Sequence, residues 1–478
     1  MIRLRHHQRQ LYEGFFAEDA RQWMEPWMKQ ADQVLADEAL LEQVYEAQGR
    51  RHAQSRRRGR SQTPAEVALR LAVLKHVRNW SFEETEREVR GNVVYREFPH
   101  LGAEKVPDAK TMGRQVQALG PEVVQQIHQR LVKIAREKKV VRGGKLRVDT
   151  TVVETNIPDP TDSGLLGDGV RVLTRTMKRI TEISRGMGTR LRNRMRSVGH
   201  RVREIARASR SKGAGFEQKM KQGYRRWLRN TRQVVNQAVR FSQEITRSVK
   251  KAAGRNQQAV LRDLQQQLDT MVPRVKQVIR QARVLGGDSH VPNKLLSLFE
   301  PTTEVIRKGK ASKPNEFGKM VKIQEAENQI ITHYEVFDQR PSDSDLLVPS
   351  ITQHQQQLGC TPKVVAADPG FFSAKNETAA TDLGVPQLSV PQVGTKNQQR
   401  RQRQKTRWFK KAQKWRAGGE GRISVLKRRH GLNRCLYKGP VGMKRWVGLG
   451  VIADTNSLTQ LEHEAIIELA SLRRKIPI

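Results

Sequence analysis

The chain has 478 residues, 36% of them hydrophobic, and its 89 Lys and Arg against 48 Asp and Glu give a net charge of +41. That length suggests about three domains with at least one sizeable core, which excludes a disordered basic tail. A single-sign field of this strength favours polyanions, nucleic acid first; no run approaches the roughly 18 apolar residues of a spanning helix, and the opening MIRLRHHQRQ lacks a signal peptide's apolar centre, so a soluble, intracellular protein is expected.

The N-terminal third reads as helical. After the basic run RRHAQSRRRGR (50–60), Val67, Leu71, Leu74 and Val77 fall at helical spacing. Ser81 then opens a second helix, with Glu84 three residues later as in a capping box, and VPDAKTMGRQVQALG (106–120) looks like a third start, with Asp108 or Thr111 near its N-terminus. Short helices and tight turns in a basic chain fit a helix-turn-helix DNA reader, and equally a plain helical bundle.

At residue 145 the pattern changes. KLRVDTTVVETN alternates and is rich in β-branched residues, so it reads as a strand with Asp149 inside it. Next comes a stretch of helix formers: residues 171–250 hold 23 Lys and Arg against 4 Asp and Glu, a net of +19. Apolar residues recur at Leu191, Met195, Val198, Val202 and Ile205, then at Leu261, Leu264, Leu268, Met271, Val275 and Val278, as in a packed helical hairpin or coiled coil. Pro273 should kink the later segment or mark its start. Beyond it, KMVKIQEAE and QIITHYEVFD form an expected hairpin over 319–338, DSDLLVPSITQHQQQLG an expected helix, and PQLSVPQVG a further strand.

Between that helix and the last strand, PKVVAADPGFF gives a short apolar run, Val364 to Ala367, closed by Asp368, Pro369 and Gly370. A carboxylate at a strand's C-terminal end sits where α/β sheets place chemistry, although Asp is also a common turn former. The third acid, Glu420, is the only carboxylate in residues 395–434, which hold 15 Lys and Arg. It reads either as a salt-bridge partner on a solvated basic face or as a metal ligand among phosphate-binding cations. The cluster of Gly418, Gly419 and Gly421 is a poor helix former and allows a helix that starts only after it. WVGLGVIAD, near the end, reads as a strand.

The order of these elements resembles the ribonuclease-H-like core of DDE transposases, the recombinases of bacterial insertion sequences. DTTVVETNIPDPTDSGLLGDGVR resembles a first-aspartate block, ADPGFFSAKNE a second, and RAGGEGRISVLKRRHGL a glutamate block. Many members carry tyrosine, arginine, glutamate and lysine spaced by two, three and six intervening residues; Arg416, Glu420 and Lys427 fit, while Gln413 stands at the tyrosine position. SFEETEREVRGNVVYREF and VPDAKTM resemble the DNA-binding leader of the same enzymes.

The resemblance implies an α/β fold with a mixed sheet: a ribonuclease-H-like core over 141–175 and 310–455, interrupted by a basic all-helical insertion (176–309), preceded by a helical DNA-binding domain (1–140) and followed by a C-terminal helix (456–478). It implies Asp149, Asp368 and Glu420 as catalytic ligands of two Mg²⁺ or Mn²⁺ ions, and Arg416, Lys427, Arg422, Lys414 and Arg428 as DNA contacts. The implied partners are the element's terminal inverted repeats and target DNA, with a homo-oligomer, at least a dimer, in the synaptic complex of a cytoplasmic, nucleoid-associated enzyme. A related nuclease without strand transfer and an inactive DNA-binding derivative are the alternatives. Asp159, Asp162, Asp168 and Glu154 are rival ligands, ranked lower because their proline-bearing segment reads as loop. The 12 His show no paired metal spacing, Trp415 reads as packing, and two cysteines cannot build a disulfide framework or a cysteine zinc site.

Overall fold

The computed structural model describes residues 1–5, 18–51, 54, 56–57, 62–102, 104–184, 188–208, 216–251, 254–283, 293–307 and 315–454. The C-terminal helix expected at 456–478, and His6 and His7, lie outside these residues. Two compact units emerge: Met1–Asn156 with Val305–Ile478, and Ile157–Glu304.

The first unit opens with helices α1 (Pro26–Leu35), α2 (Glu38–Gly49), α3 (Ala65–Arg78), α4 (Phe82–Gly91), α5 (Val93–Glu97) and α6 (Ala109–Glu137). Val67, Leu71 and Leu74 of α3 are buried as their spacing predicts, and so is Arg70. That guanidinium is satisfied by Glu66 at 3.1 Å and Asp32 at 2.5 Å, as a buried cation requires. Helix α4 begins with the expected capping box: Ser81 Oγ accepts from the Glu84 N–H at 3.0 Å, and the Ser81 N–H donates to Glu84 Oε2 at 2.7 Å. Asp108 caps α6 by accepting from the Thr111 N–H at 2.7 Å. Gly120, at φ 71°, breaks α6, and Pro121 restarts it where a missing N–H costs nothing. These helices pack with the sheet in one unit, and His128 Nε2 of α6 donates to the Ile331 carbonyl at 3.0 Å.

The sheet combines β1 (Lys145–Thr155), β2 (Glu304–Arg307), β3 (Asn315–Glu325), β4 (Ile331–Val336), β5 (Val364–Ala366), β6 (Gln387–Ser389) and β7 (Arg434–Cys435). Its order is β2-β3-β1-β5-β6, with β4 also on β3 and β7 also on β1. The expected hairpin is β3 and β4, antiparallel, and β1 pairs antiparallel with β3, placing Asp149 opposite Ile323. On its other side β1 pairs parallel with β5, Arg147 opposite Ala366, and β5 pairs parallel with β6. This mixed sheet is consistent with the expected ribonuclease-H-like core. Leu146, Val148 and Val152 face one core with Ile351 of α11 (Leu347–Leu358) and Ala380 of α12 (Ala374–Asp382). Val153 faces the other with Leu426.

Leu426 belongs to α14 (Arg407–Arg429), which follows α13 (Gln398–Lys405). Helix α14 runs unbroken through the three glycines, so the late start they allow does not occur. WVGLGVIAD is not a strand but the end of a helix, α15, over 439–454. A short apolar run does not distinguish the two by pattern, and close packing decides it. A Cβ at Gly448 would lie 2.3 Å from the Tyr334 hydroxyl, and one at Gly450 would lie 2.2 Å from Leu432.

The second unit is helical: α7 (Asp162–Ile183), α8 (Met195–Ala208), α9 (Phe216–Lys251) and α10 (Arg255–Arg283). It begins before residue 176 because α7 contributes Leu166, Val170, Leu173 and Met177 to one core with Trp227, Phe241, Leu264 and Val275. Of the predicted stripes, Val198, Leu261, Leu264, Leu268, Val275 and Val278 are buried, Leu191 and Met271 partly so, and the side chains of Val202 and Ile205 lie outside the described residues. Pro273 lies inside α10 and does not start it.

Candidate active site

Strand alternation aims Asp149 toward the face that α14 covers, the face it shares with Arg147 and Val153. Extending the parallel register by two residues, from Arg147 opposite Ala366, sets Asp368 beside Asp149. Asp368 caps a 3₁₀ turn, Pro369–Phe371, its Oδ1 accepting from the Gly370 N–H at 2.9 Å. Glu420 stands on α14 with its side chain 66% exposed, and its Oε1 accepts from Arg416 Nη2 at 3.1 Å. Arg416 Nη1 lies 4.0 Å from Asp149 Oδ2, so one guanidinium reaches both carboxylates. Lys427, half-buried, is seven residues past Glu420 on the continuous helix and so on nearly the same face.

Asp149 is held up at about 6, first by burial and then by the negative charges of Asp368 and Glu420, against the Thr150 N–H and Arg416, which pull it down. Asp368 and Glu420 are therefore both near enough for their charges to act on Asp149. All-oxygen donors of this kind suit a hard divalent cation, and such a cation relieves the repulsion that raises Asp149. The chemistry of the donor set fits Mg²⁺ or Mn²⁺. Among the described residues no three acid, His or Cys side chains close around a single point. Asp368 is turned to its own backbone and Glu420 to Arg416.

Arg147 and Glu325 also shape the site, and nothing in the sequence pointed to them. With Asp149, Arg416, Gly419 and Ile423, the Arg147 and Glu325 side chains line a small cleft beside Asp149. Arg147 pairs with Glu325, both buried, donates to the Trp415 carbonyl, and lies with its guanidinium carbon 4.9 Å from the Trp415 ring centre. Trp415 is thus packing, with Arg147 over it. A Cβ at Gly418 would come within 2.9 Å of that guanidinium. The glycine pair read as a helix breaker instead lets an arginine lie against the helix.

Two stretches of the chain match known families. Residues 25–117 match the family described as Transposase domain (DUF772), and residues 387–456 match the family described as Transposase DDE domain. Both matches are to transposase domains, and together they support a DDE transposase of an insertion sequence. No curated protein and no solved structure matches it. In this transposase the second match carries Glu420, whereas Asp149 and Asp368 lie outside both.

Of the expected DNA contacts in the transposase, Lys414 and Arg428 are exposed on α14. Arg422 is not available: it is 6% exposed and pairs with Asp454 at 2.8 Å and with Gln329. Burial holds Asp454 up at about 7 against the pull of that guanidinium. Three of the four rival acids are engaged elsewhere. Glu154 pairs with Arg434 at 3.2 Å near the far end of β1, and Asp168 pairs with Arg171 at 2.5 Å. Asp162 opens α7 and lies 3.5 Å from Lys294, and Asp159 is exposed. No described helix of the transposase is long and apolar enough to cross a membrane.

Proposed function

We propose that this transposase cuts DNA at the ends of its element with a metal-dependent site made of Asp149, Asp368 and Glu420, and then joins the freed end to target DNA. The observation that supports this reading best is the site's shared field: Asp149 is raised by both other acids, while Arg416 spans Asp149 and Glu420. A pair of Mg²⁺ or Mn²⁺ ions would supply activation of the attacking oxygen and stabilisation of the departing one. The protein's part is to hold and orient. Asp149 and Asp368 approach from adjacent parallel strands and Glu420 from the helix over them, so the acids come from a rigid frame. Arg416 and Lys427 bind phosphates flanking the scissile bond and offset charge that grows in the transition state. Water attacks first and frees a 3′-hydroxyl, which then attacks a target phosphodiester. Each step breaks one P–O bond as it forms another, so no external energy source is needed.

The basic helices of the second unit, with Lys414 and Arg428, hold the DNA backbone, consistent with their charge. The partners are the element's terminal inverted repeats and target DNA, and the enzyme works on the nucleoid as at least a dimer. The test is single-turnover cleavage of an element-end duplex. Asp149→Ala, Asp368→Ala and Glu420→Ala should each lower it by about 10³-fold or more and leave DNA affinity within roughly threefold. Retained metal-dependent cleavage in any of them removes that residue from the site.

A further inference from the structure

Gln413 lies seven residues before Glu420 on α14, two helical turns along nearly the same face. Its side-chain amide donates to the Ala367 carbonyl at 3.2 Å and the Ser389 carbonyl at 2.6 Å, with Ser389 Oγ 3.0 Å away. Those carbonyls belong to the ends of β5 and β6, already joined by Ala367 N–H to Ser389 O at 3.2 Å. Ala367 is the residue before Asp368. The amide therefore ties the helix that carries one acid to the peptide beside another.

Backbone carbonyls only accept, so the amide must present its N–H₂ to them, and its two hydrogens match two acceptors. A tyrosine at this position has a single O–H and cannot serve both. A hydrophobic residue would leave the Ala367 and Ser389 carbonyls without this donor. Ser389 is itself fully buried, and its hydroxyl donates to the Phe409 carbonyl, a second tie from β6 to the same helix.

We infer that Gln413 is a positioning residue that sets the spacing of Glu420 from Asp368, and through it the metal affinity of the site. The inference rests on the three-carboxylate reading above. Gln413 contacts neither substrate nor the reacting atoms in this role. It acts through the strand ends, and losing it lets α14 shift against them.

The experiment compares full-length wild type with Gln413→Met, which keeps the length without a donor, and Gln413→Glu, which keeps the shape but can only accept when ionised. Three quantities are read: single-turnover cleavage against Mn²⁺ concentration, Mn²⁺ binding to the free protein by calorimetry, and DNA affinity. Both variants should cleave about 10- to 100-fold more slowly, bind Mn²⁺ about 10-fold more weakly and bind DNA as wild type does, the pattern of a misplaced ligand. Wild-type Mn²⁺ binding in both variants overturns the inference. So does a loss of DNA affinity or of folded protein equal to the loss of rate, which would make Gln413 a fold contact only. Asp149→Ala is the control that separates the two readings. If it retains metal-dependent cleavage, the three-carboxylate site fails, whereas an inert Asp149→Ala beside a fully active Gln413→Met removes the positioning role alone.

Discussion

The second unit and helix α14 are both strongly basic, yet they use their charge in opposite ways. On α9, Arg225, Arg226, Arg229, Arg240 and Arg247 are exposed around a core that includes Trp227, Val234, Val235 and Phe241. These are solvated cations on an amphipathic helix, suited to a polyanion of any sequence. On α14, Arg416 is 17% exposed and lies between two acids, while Arg422 is buried against Asp454. Two helices of similar charge thus differ in what a cation touches. Density of charge draws DNA to the protein, and placement of charge decides where chemistry can occur.

Of the cations compared on these two helices, removing the buried Arg422 should have the largest effect. Arg422→Ala strands Asp454 in the core and should cost about 3–5 kcal/mol of stability, read by denaturant unfolding. Arg422→Met with Asp454→Leu should recover most of that loss; an inexpensive single Arg422→Ala would mean that placement matters less than the geometry suggests. Next come the cations beside the acids. Arg416→Ala and Lys427→Ala should slow single-turnover cleavage at saturating enzyme by about 100-fold. Arg429→Ala, an exposed neighbour, should slow it less than about threefold and act on affinity instead. Equal slowing by Lys427→Ala and Arg429→Ala would erase the distinction within α14.

Smaller still is the expected effect on the solvated helix. Replacing Arg225, Arg229, Arg240 and Arg247 together by Gln should leave the cleavage rate at saturating enzyme unchanged and flatten the salt dependence of binding by roughly three to four units of slope, about one per phosphate contact. An unchanged slope would show that these charges do not meet DNA. The smallest effect concerns pH. Burial alone would raise Asp32, but its hydrogen bond to His100 and the Arg70 and His100 charges hold it at about 2; Glu66 is likewise lowered and His100 raised. The acids' contribution to stability is present above about pH 4 and is lost as pH falls toward 2, whereas that of His100 is present below about 6.5 and is lost as pH rises through its raised value. Melting temperature should therefore peak between those limits, and His100→Gln should flatten the alkaline side.

Much of this was legible where local chemistry decides the structure. Alternating Val and Thr gave the Asp149 strand, the Ser81 and Glu84 pair gave a helix start, and the run before Asp368 gave a strand end. The failures lie where a distant partner decides. Nothing near Gly448 and Gly450 announces that Tyr334 and Leu432 press against them, so an apolar run read as strand is helix. Arg422 looks like its exposed neighbours until Asp454, 32 residues on, claims it. Gln413 looked like a missing tyrosine until two carbonyls from separate strands were seen to meet it. The Gly418 and Gly419 pair was a visible signal of close approach, and the partner, Arg147, lay some 270 residues earlier.

The pairing of β1 also dictates when the protein can fold. Its neighbours β3, β5 and β7 all come from beyond residue 314, so none exists when β1 is made. At roughly 5–20 residues per second, β1 waits about ten to thirty seconds on the ribosome for its first partner, with both ladder edges unpaired. A β-branched strand in that condition invites pairing with other chains. The helices of the second unit emerge in this interval and can form from local contacts first. Chains that stop within 157–304 should accordingly accumulate in the insoluble fraction, and chains that reach past 366 should begin to leave it, as pelleting of a truncation series would measure. Nascent transposase would then be at its most vulnerable before the strands that carry Asp149 and Asp368 have met.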